Sequence, residues 1–322
     1  MWHGNVSTEI ALGLKELRER IEKAAIPSSS LDESINIATW NIREFGRRRR
    51  LEASVHYIAE ILNQFDLISV VEVRDNLSDL NRVLDILGPY WKVVFSDYIT
   101  DAGGNRERIA YVYDKRAVVF TGLAAEADAP RKKDRTTGEY LSRISWWRKP
   151  FIASFRAGNF DFVALAAHIR WGSDEASRTV PLKLLAEWVD KRHKERYMLD
   201  KDIIVMGDFN IPSTGSALFE MIVEKGLRIP HALLGVHGTN LAKNKRYDQL
   251  LHYPAYTSCF TDNGGVLDFY CGDHKKLFPD LTKSEFTYQI SDHLPLWIQV
   301  NTDTSDERLD ALLKRRKITD VS

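Results

Sequence analysis

Asp208 and Asn210 stand two residues apart, directly behind the run Ile203-Ile204-Val205-Met206-Gly207. Four apolar residues in a row read as a strand buried on both faces. On an extended backbone, positions i and i+2 project to the same side, so an acid and an amide would leave the strand end together. Taken alone, Gly-Asp-Phe-Asn reads equally well as a turn. The pattern recurs, however. Ile35–Trp40 is followed by Asn41, Phe65–Val71 by Glu72 and Phe162–Ala167 by His168, while Ser291-Asp292-His293 precedes the apolar run Leu294–Ile298. Glu107 begins a strand-like run 107–113, and Asp248 follows Tyr247 at the start of another. Chemistry gathered from several strand ends is how sheet scaffolds usually present a site.

The set Asn41, Glu72, Glu107, His168, Asp208, Asn210, Asp248, Asp292 and His293 is rich in hard oxygen donors and has no thiolate. Such sites suit Mg²⁺, with Mn²⁺ or Ca²⁺ as alternatives, rather than zinc. Magnesium needs only one or two carboxylates, and Glu72 with Asn41 is enough. Two histidines among acids suggest imidazole–carboxylate pairs, in which the carboxylate fixes the tautomer and favours the charged ring. Hydrolysis of a phosphate ester needs an in-line water, a stabilised leaving oxygen and cations on the non-bridging oxygens. This inventory supplies all three.

The elements that would carry these residues alternate between strands and helices. Helices are expected over 8–25, from Leu51 through Leu62, over 76–87, 176–194, 215–225 and 305–317. Strands are expected at 35–40, 66–71, 91–95, 109–113, 117–121, 151–156, 160–166 and 203–206, at the start marked by Asp248, and after His293. The polar stretch 124–142 reads as an exposed loop, and 260–290 as turn-rich. Arg47–Arg50 reads either as a solvated charge run or as a grip on a phosphate backbone at the mouth of the site. These boundaries divide the chain into an N-terminal helical extension (1–33), one large domain (34–302) and a charged tail (303–322).

Composition bounds the partners. The chain has 322 residues, 44% hydrophobic and 28% charged, with no net charge, so it lacks the global basic field of many polyanion binders. Cys259 and Cys271 make neither a zinc pattern nor a disulfide framework and read as two buried thiols. No secretion signal or membrane-spanning run is visible, which points to a cytoplasmic protein that does not enter a membrane.

Thr39-Trp40-Asn41, Val70-Val71-Glu72-Val73, Ala167-His168-Ile169, Gly207-Asp208-Phe209-Asn210 and Ser291-Asp292-His293-Leu294-Pro295 resemble, in order, the motif series of the endonuclease/exonuclease/phosphatase superfamily. Tyr247-Asp248, Arg106-Glu107-Arg108 and Arg148-Lys149-Pro150-Phe151 are similar to its deoxyribonuclease I-like branch. The resemblance covers about residues 34–301. It implies an α/β fold, a four-layer α/β sandwich of two packed mixed sheets flanked by helices. It also implies a Mg²⁺-dependent phosphodiesterase acting on nucleic acid, DNA rather than RNA, with little sequence preference. Glu72 would bind metal with Asn41 and Asp292. Asp208 and Asn210 would orient the attacking water and the phosphate. His293 with Asp248, and His168 with Glu107, would handle protons, while Arg43, Arg148 and Arg170 would contact substrate. The chain departs from the secreted deoxyribonucleases at Ile211, where they carry a cysteine. It departs from the inositol-phosphatase branch at Val205 and Met206, in place of its Trp, and at Pro212, in place of its Arg. A smaller substrate on the same fold, such as a nucleotide, an RNA end or a phospholipid head group, is the alternative that neutral net charge favours. A non-catalytic scaffold does not fit the complete acid and histidine set.

Overall fold

Strand β1 (Ser34–Phe45) turns Ile35 and Ile37 to one face and Ala38, Trp40 and Ile42 to the other, and both faces are buried. The same double burial holds for β2 (Leu67–Arg74), β9 (Phe160–His168) and β10 (Ile203–Asp208), which explains why these segments read as continuous apolar runs. The computed structural model describes residues 1–100, 103–129, 131–141, 146–253, 259–306, 309–310 and 313.

Two mixed sheets lie face to face. The first runs β12-β13-β1-β2-β4-β3, with β3 (Trp91–Phe95), β4 (Glu107–Asp114), β12 (Phe260–Val266) and β13 (Leu296–Asn301). The second runs β11-β10-β9-β8-β5, with β5 (Val119–Glu126), β8 (Phe151–Ala157) and β11 (Asp248–Tyr253). A short hairpin, β6 (Lys132–Lys133) with β7 (Tyr140–Leu141), stands apart. Between the sheets pack Ile37, Leu67 and Tyr111 against Phe155, Phe162 and Met206. Helices α1 (Thr8–Glu22), α2 (Glu52–Leu62), α3 (Ser78–Leu87) and α6 (Lys283–Gln289) contribute to a second core on the outside of the first sheet. Helices α4 (Ala176–Lys194) and α5 (Ala217–Val223) close the other side. The result is the expected four-layer sandwich.

Each sheet holds one parallel pair, β1 with β2 and β9 with β10, joined through α2 and α4. A helical crossover returns the chain to the same end of the sheet, so the carboxyl ends of all four strands meet at one edge. In the second sheet, His168, Asp208 and Asp248 lie in register across three neighbouring strands. Gly207 makes this close array possible. Its φ is +129°, and a Cβ there would come within 2.0 Å of the Ala167 carbonyl oxygen.

Several expectations are corrected. The stretch 260–290 carries β12 and α6 besides turns, with α6 set by a Thr282/Glu285 capping box. The stretch 124–142 includes the end of β5 and the β6–β7 hairpin rather than loop alone. Cys271 is exposed, while Cys259 is buried. Most of the helix expected over 305–317 lies outside the described residues. Among the described residues no helix is long and apolar enough to cross a membrane.

His252 on β11 is buried, its ring centroid 4.0 Å from that of Phe260. Burial, aided by the charge of Arg228, pushes its imidazole down to about 4. The unfolded chain takes up this proton below about pH 6.5 while the folded chain does not, so the neutral ring's contribution is intact above that pH and lost as pH falls towards 4. Between pH 7 and pH 5 the protein is expected to lose about 2 kcal/mol through this group. In His252→Gln, urea unfolding at the two pH values should differ by that much less; an unchanged pH dependence would contradict the assignment.

Candidate active site

The first half of the site comes from the first sheet. Asn41 lies within β1, and its Nδ2 donates to Glu72 Oε1 and to Asp208 Oδ2, both at 3.0 Å. Glu72 was expected at a strand end, but it sits inside β2 where the pairing of both neighbours shifts register. Its φ of +64° is costly for a residue with a long side chain. Glu44 (φ +45°) is strained in the same way, and its backbone N–H donates to Glu72 Oε2 at 2.8 Å. Asn105, Arg106 and Asn210 also have positive φ. Strain gathered around one cleft is characteristic of functional sites.

The second half comes from β9, β10 and β11. His168 Nδ1 lies 2.9 Å from Glu107 Oε2, and its Nε2 lies 3.7 Å from Asp208 Oδ2. On the other side, His293 Nδ1 pairs with Asp248 Oδ2 at 2.7 Å, and its Nε2 lies 3.9 Å from the same Asp208 oxygen. Asp208 thus rests between two imidazoles, each backed by its own carboxylate. Asn210 closes the strand end: its N–H donates to Asp208 Oδ1 at 2.9 Å and its Nδ2 to the Ile169 carbonyl at 2.7 Å. The His293 loop is pinned to β1, because Ser291 Oγ donates to the Asn41 carbonyl at 2.6 Å and Trp40 Nε1 to the His293 carbonyl at 2.8 Å.

Electrostatics follow from this packing. Burial raises the Glu107 carboxyl, but His168, Arg148 and Arg74 outweigh it and hold the group down at about 2. Burial likewise disfavours the His293 imidazolium, yet Asp248 and Asp208 more than compensate, and its pKa is raised well above the usual range. Burial, aided by the Asp208 charge, raises the Asp248 carboxyl against the opposing pull of the His293 ring beside it.

An open cleft of about 500 Å³ joins both halves. All the sequence-derived site residues line it except Asp248, which stands behind His293. Arg148 is committed: its Nε lies 2.6 Å from Glu107 Oε2 and its Nη2 donates to Oε1 at 3.1 Å. Arg43 stacks on Tyr288, with Cζ 3.9 Å from the ring centroid, and approaches Asp292 at 3.8 Å. Asp292 is 44% exposed at the rim. Arg170 lies over Trp147 at 4.2 Å. Of the Arg47–Arg50 run, Arg50 is neither solvated nor available to a phosphate. It is buried, donates to the Arg43 carbonyl, and burial lowers it to about 10.

Sequence reasoning gave no role to Glu44, Arg74, Asn105 or Trp171, which also line the cleft. Arg74 bonds Glu44 Oε1 at 3.0 Å and approaches Glu107 at 3.8 Å. Its spacing of two from Glu72 was the available signal.

The Endonuclease/Exonuclease/phosphatase family profile matches residues 38–293, most of the chain and every strand that reaches the cleft. The chain belongs to this family. Members of the endonuclease/exonuclease/phosphatase family are phosphate-ester hydrolases, nucleases and phosphatases among them, and they generally use divalent metal ions. Human deoxyribonuclease-1 is 27% identical over 210 residues, covering 62% of this chain and 67% of that protein. Two solved structures share the fold at 16% identity and TM-scores of 0.54. They are a mannosyl-6-phosphatase from Bacteroides thetaiotaomicron and D. rerio TDP2 complexed with single strand DNA product; each match covers 84% of this chain and 99% of the other.

The residues fit a divalent ion. Asn41 Oδ1 is a buried acceptor with no hydrogen-bond partner, on the same amide that touches Glu72. Among the described residues no three His, Cys, Asp or Glu side chains could hold a metal between them. Magnesium does not require this, since it keeps most of its waters and takes one or two carboxylates.

Glu107 is the hub of one half-site, only 4% exposed and facing His168, Arg148, Asn105 and, farther off, Arg74. Removing its charge leaves the buried Arg148 without its carboxylate partner. Glu107→Gln should therefore destabilise the fold by about 3–5 kcal/mol in urea denaturation; a loss below about 1 kcal/mol would contradict this role.

Proposed function

We propose that this chain is a Mg²⁺-dependent endonuclease that hydrolyses DNA phosphodiester bonds with little sequence preference. The observation that carries this reading is the Asp208 carboxylate held between two carboxylate-backed imidazoles, with Asn41 and Glu72 alongside. The similarity to human deoxyribonuclease-1 supports a nucleic-acid substrate. Residues 34–302 are assigned to the catalytic domain, with 1–33 and 303–322 as extensions.

In this reading Glu72 and Asn41 would hold the metal, with Asp292 on the same cleft. When bound there, the ion would supply positive charge that stabilises the transition state of phosphate-ester hydrolysis. Asp208 orients the attacking water and accepts its proton, because its carboxylate has the position and the hydrogen-bond capacity for both. His293, kept protonated by Asp248, and His168, oriented by Glu107, aim their Nε2 atoms at the same point and donate to phosphate oxygens. Asn210 fixes the Asp208 carboxylate through its backbone N–H. Arg43, which donates to Thr287 Oγ1 at 2.6 Å, and Arg170, which lies over Trp147, have no carboxylate hydrogen bond like that of Arg148 and would contact substrate phosphates from the cleft wall.

A smaller phosphoester is the second reading, because the cleft of about 500 Å³ suits a mononucleotide and several of its arginines are already paired with acids. Nicking of supercoiled plasmid separates the two. Activity should appear with Mg²⁺, vanish in EDTA, fall steeply between 50 and 200 mM salt, and drop about a hundredfold to ten-thousandfold in Asp208→Ala and His293→Ala. Near-normal rates in either folded variant would refute the site assignment. A folded wild-type protein that nicks nothing would move the substrate to the smaller class.

A further inference from the structure

The cleft wall carries an aromatic surface that the hydrolytic chemistry does not use. Trp171 follows β9 and Arg170, lines the cleft, and keeps 52% of its surface exposed. An exposed indole in a cleft otherwise built from polar and charged side chains calls for an explanation. Its surroundings provide one. The Arg178 guanidinium covers the ring at 4.6 Å, and that arginine is itself buried and tied to the Asn210 carbonyl. Tyr247 packs against the indole in a T-shaped arrangement, with centroids 5.3 Å apart and planes at 86°. The Tyr247 ring lies 5.9 Å from that of His293. The indole is thus held by two neighbours, close to the reacting centre, and stays half exposed.

Trp147, the cleft's neighbouring indole, is different. Arg170 covers it at 4.2 Å, and Gly103 packs so closely that a Cβ there would lie 2.4 Å from the ring. That ring is still 44% exposed, but it does not line the cleft, and it holds Arg170 against its face. Two adjacent residues therefore present a guanidinium and a half-exposed indole to the cleft.

We propose that Trp171 is a stacking platform for one unpaired nucleobase beside the scissile phosphate, with Arg170 on an adjoining phosphate. The preferred substrate is then single-stranded or locally unpaired nucleic acid. This inference rests on the nuclease reading above. A base inside a duplex has both faces covered by its neighbours and cannot offer one to a side chain, whereas an unpaired base can. Aromatic platforms beside cationic groups are the general means of holding single strands, and they tolerate any base because each has a π-face.

The test uses single-stranded oligonucleotides, each with one abasic sugar at a different position, and the same sequence as a blunt duplex. Wild type, Trp171→Ala and Trp171→Phe are compared in cleavage, and in binding to the labelled strand in EDTA. Wild type should prefer the single strand, and one abasic position next to the cut should raise KM about tenfold to a hundredfold. Trp171→Ala should raise KM and weaken binding by a similar factor on the intact strand, change kcat far less, and become indifferent to that abasic position. Trp171→Phe should recover most of the loss. Unchanged KM in Trp171→Ala, or retained sensitivity to the abasic position, overturns the stacking role while leaving the nuclease reading intact. Failure of the wild type to cleave any oligonucleotide overturns both.

Discussion

The Asp208 carboxylate is the point on which the molecule converges. It is buried at the end of β10, in register with His168 and Asp248, and it meets two imidazole Nε2 atoms and the Asn41 amide. Burying one carboxylate is costly, and here Glu107 and Asp248 are buried nearby as well. The fold is stable with all three because each faces a cation or a donor: Glu107 has His168 and Arg148, Asp248 has His293, and Asp208 has both rings and the Asn41 amide. Removing one member leaves the opposite charge, itself largely buried, without its partner, so stability and chemistry draw on the same contacts.

The architecture explains why the site is assembled from both sheets. Two parallel pairs, one in each sheet, deliver their carboxyl ends to the same edge of the sandwich. The first sheet brings Asn41 and Glu72, with Glu107 entering from β4; the second brings His168 and Asp208, with Asp248 entering from β11. The two halves touch directly through the Asn41–Asp208 hydrogen bond. Left-handed backbone at Glu44, Glu72 and Asn210 re-aims side chains that regular strands would direct elsewhere, and the surrounding cores hold that strain.

Much of this was legible in the residues. Apolar runs ending in acids, amides or histidines marked β1, β2, β9 and β10, because strands buried on both faces leave no other reason for such endings. The pairings of His293 with Asp248 and His168 with Glu107 were legible only through the family resemblance, since nothing in spacing joins residues 45 and 61 apart. The bulge at Glu72 left no local signal, as β-branched neighbours continue through it. Arg50 gave the impression of a surface charge because it belongs to an arginine run; only the approach of β1 and α3 buries it. The segment 260–290 concealed β12 because Asp262, Asn263, Gly264 and Gly265 are turn formers that here occupy a bulged edge strand. Trp171 was visible as a residue but not in its setting, since Arg178 reaches it from α4 and Tyr247 from a distant part of the chain.

If the two imidazoles and Asp208 act as one unit, their contributions to catalysis cannot be independent. The most direct measurement is a double-mutant cycle on kcat/KM for phosphodiester cleavage, using His168→Ala, His293→Ala and the double variant, all verified as folded. The account predicts strong non-additivity, with the double variant at most a few-fold slower than the worse single one. Losses that multiply would mean that the two histidines serve separate steps, and would contradict a single assembly centred on Asp208.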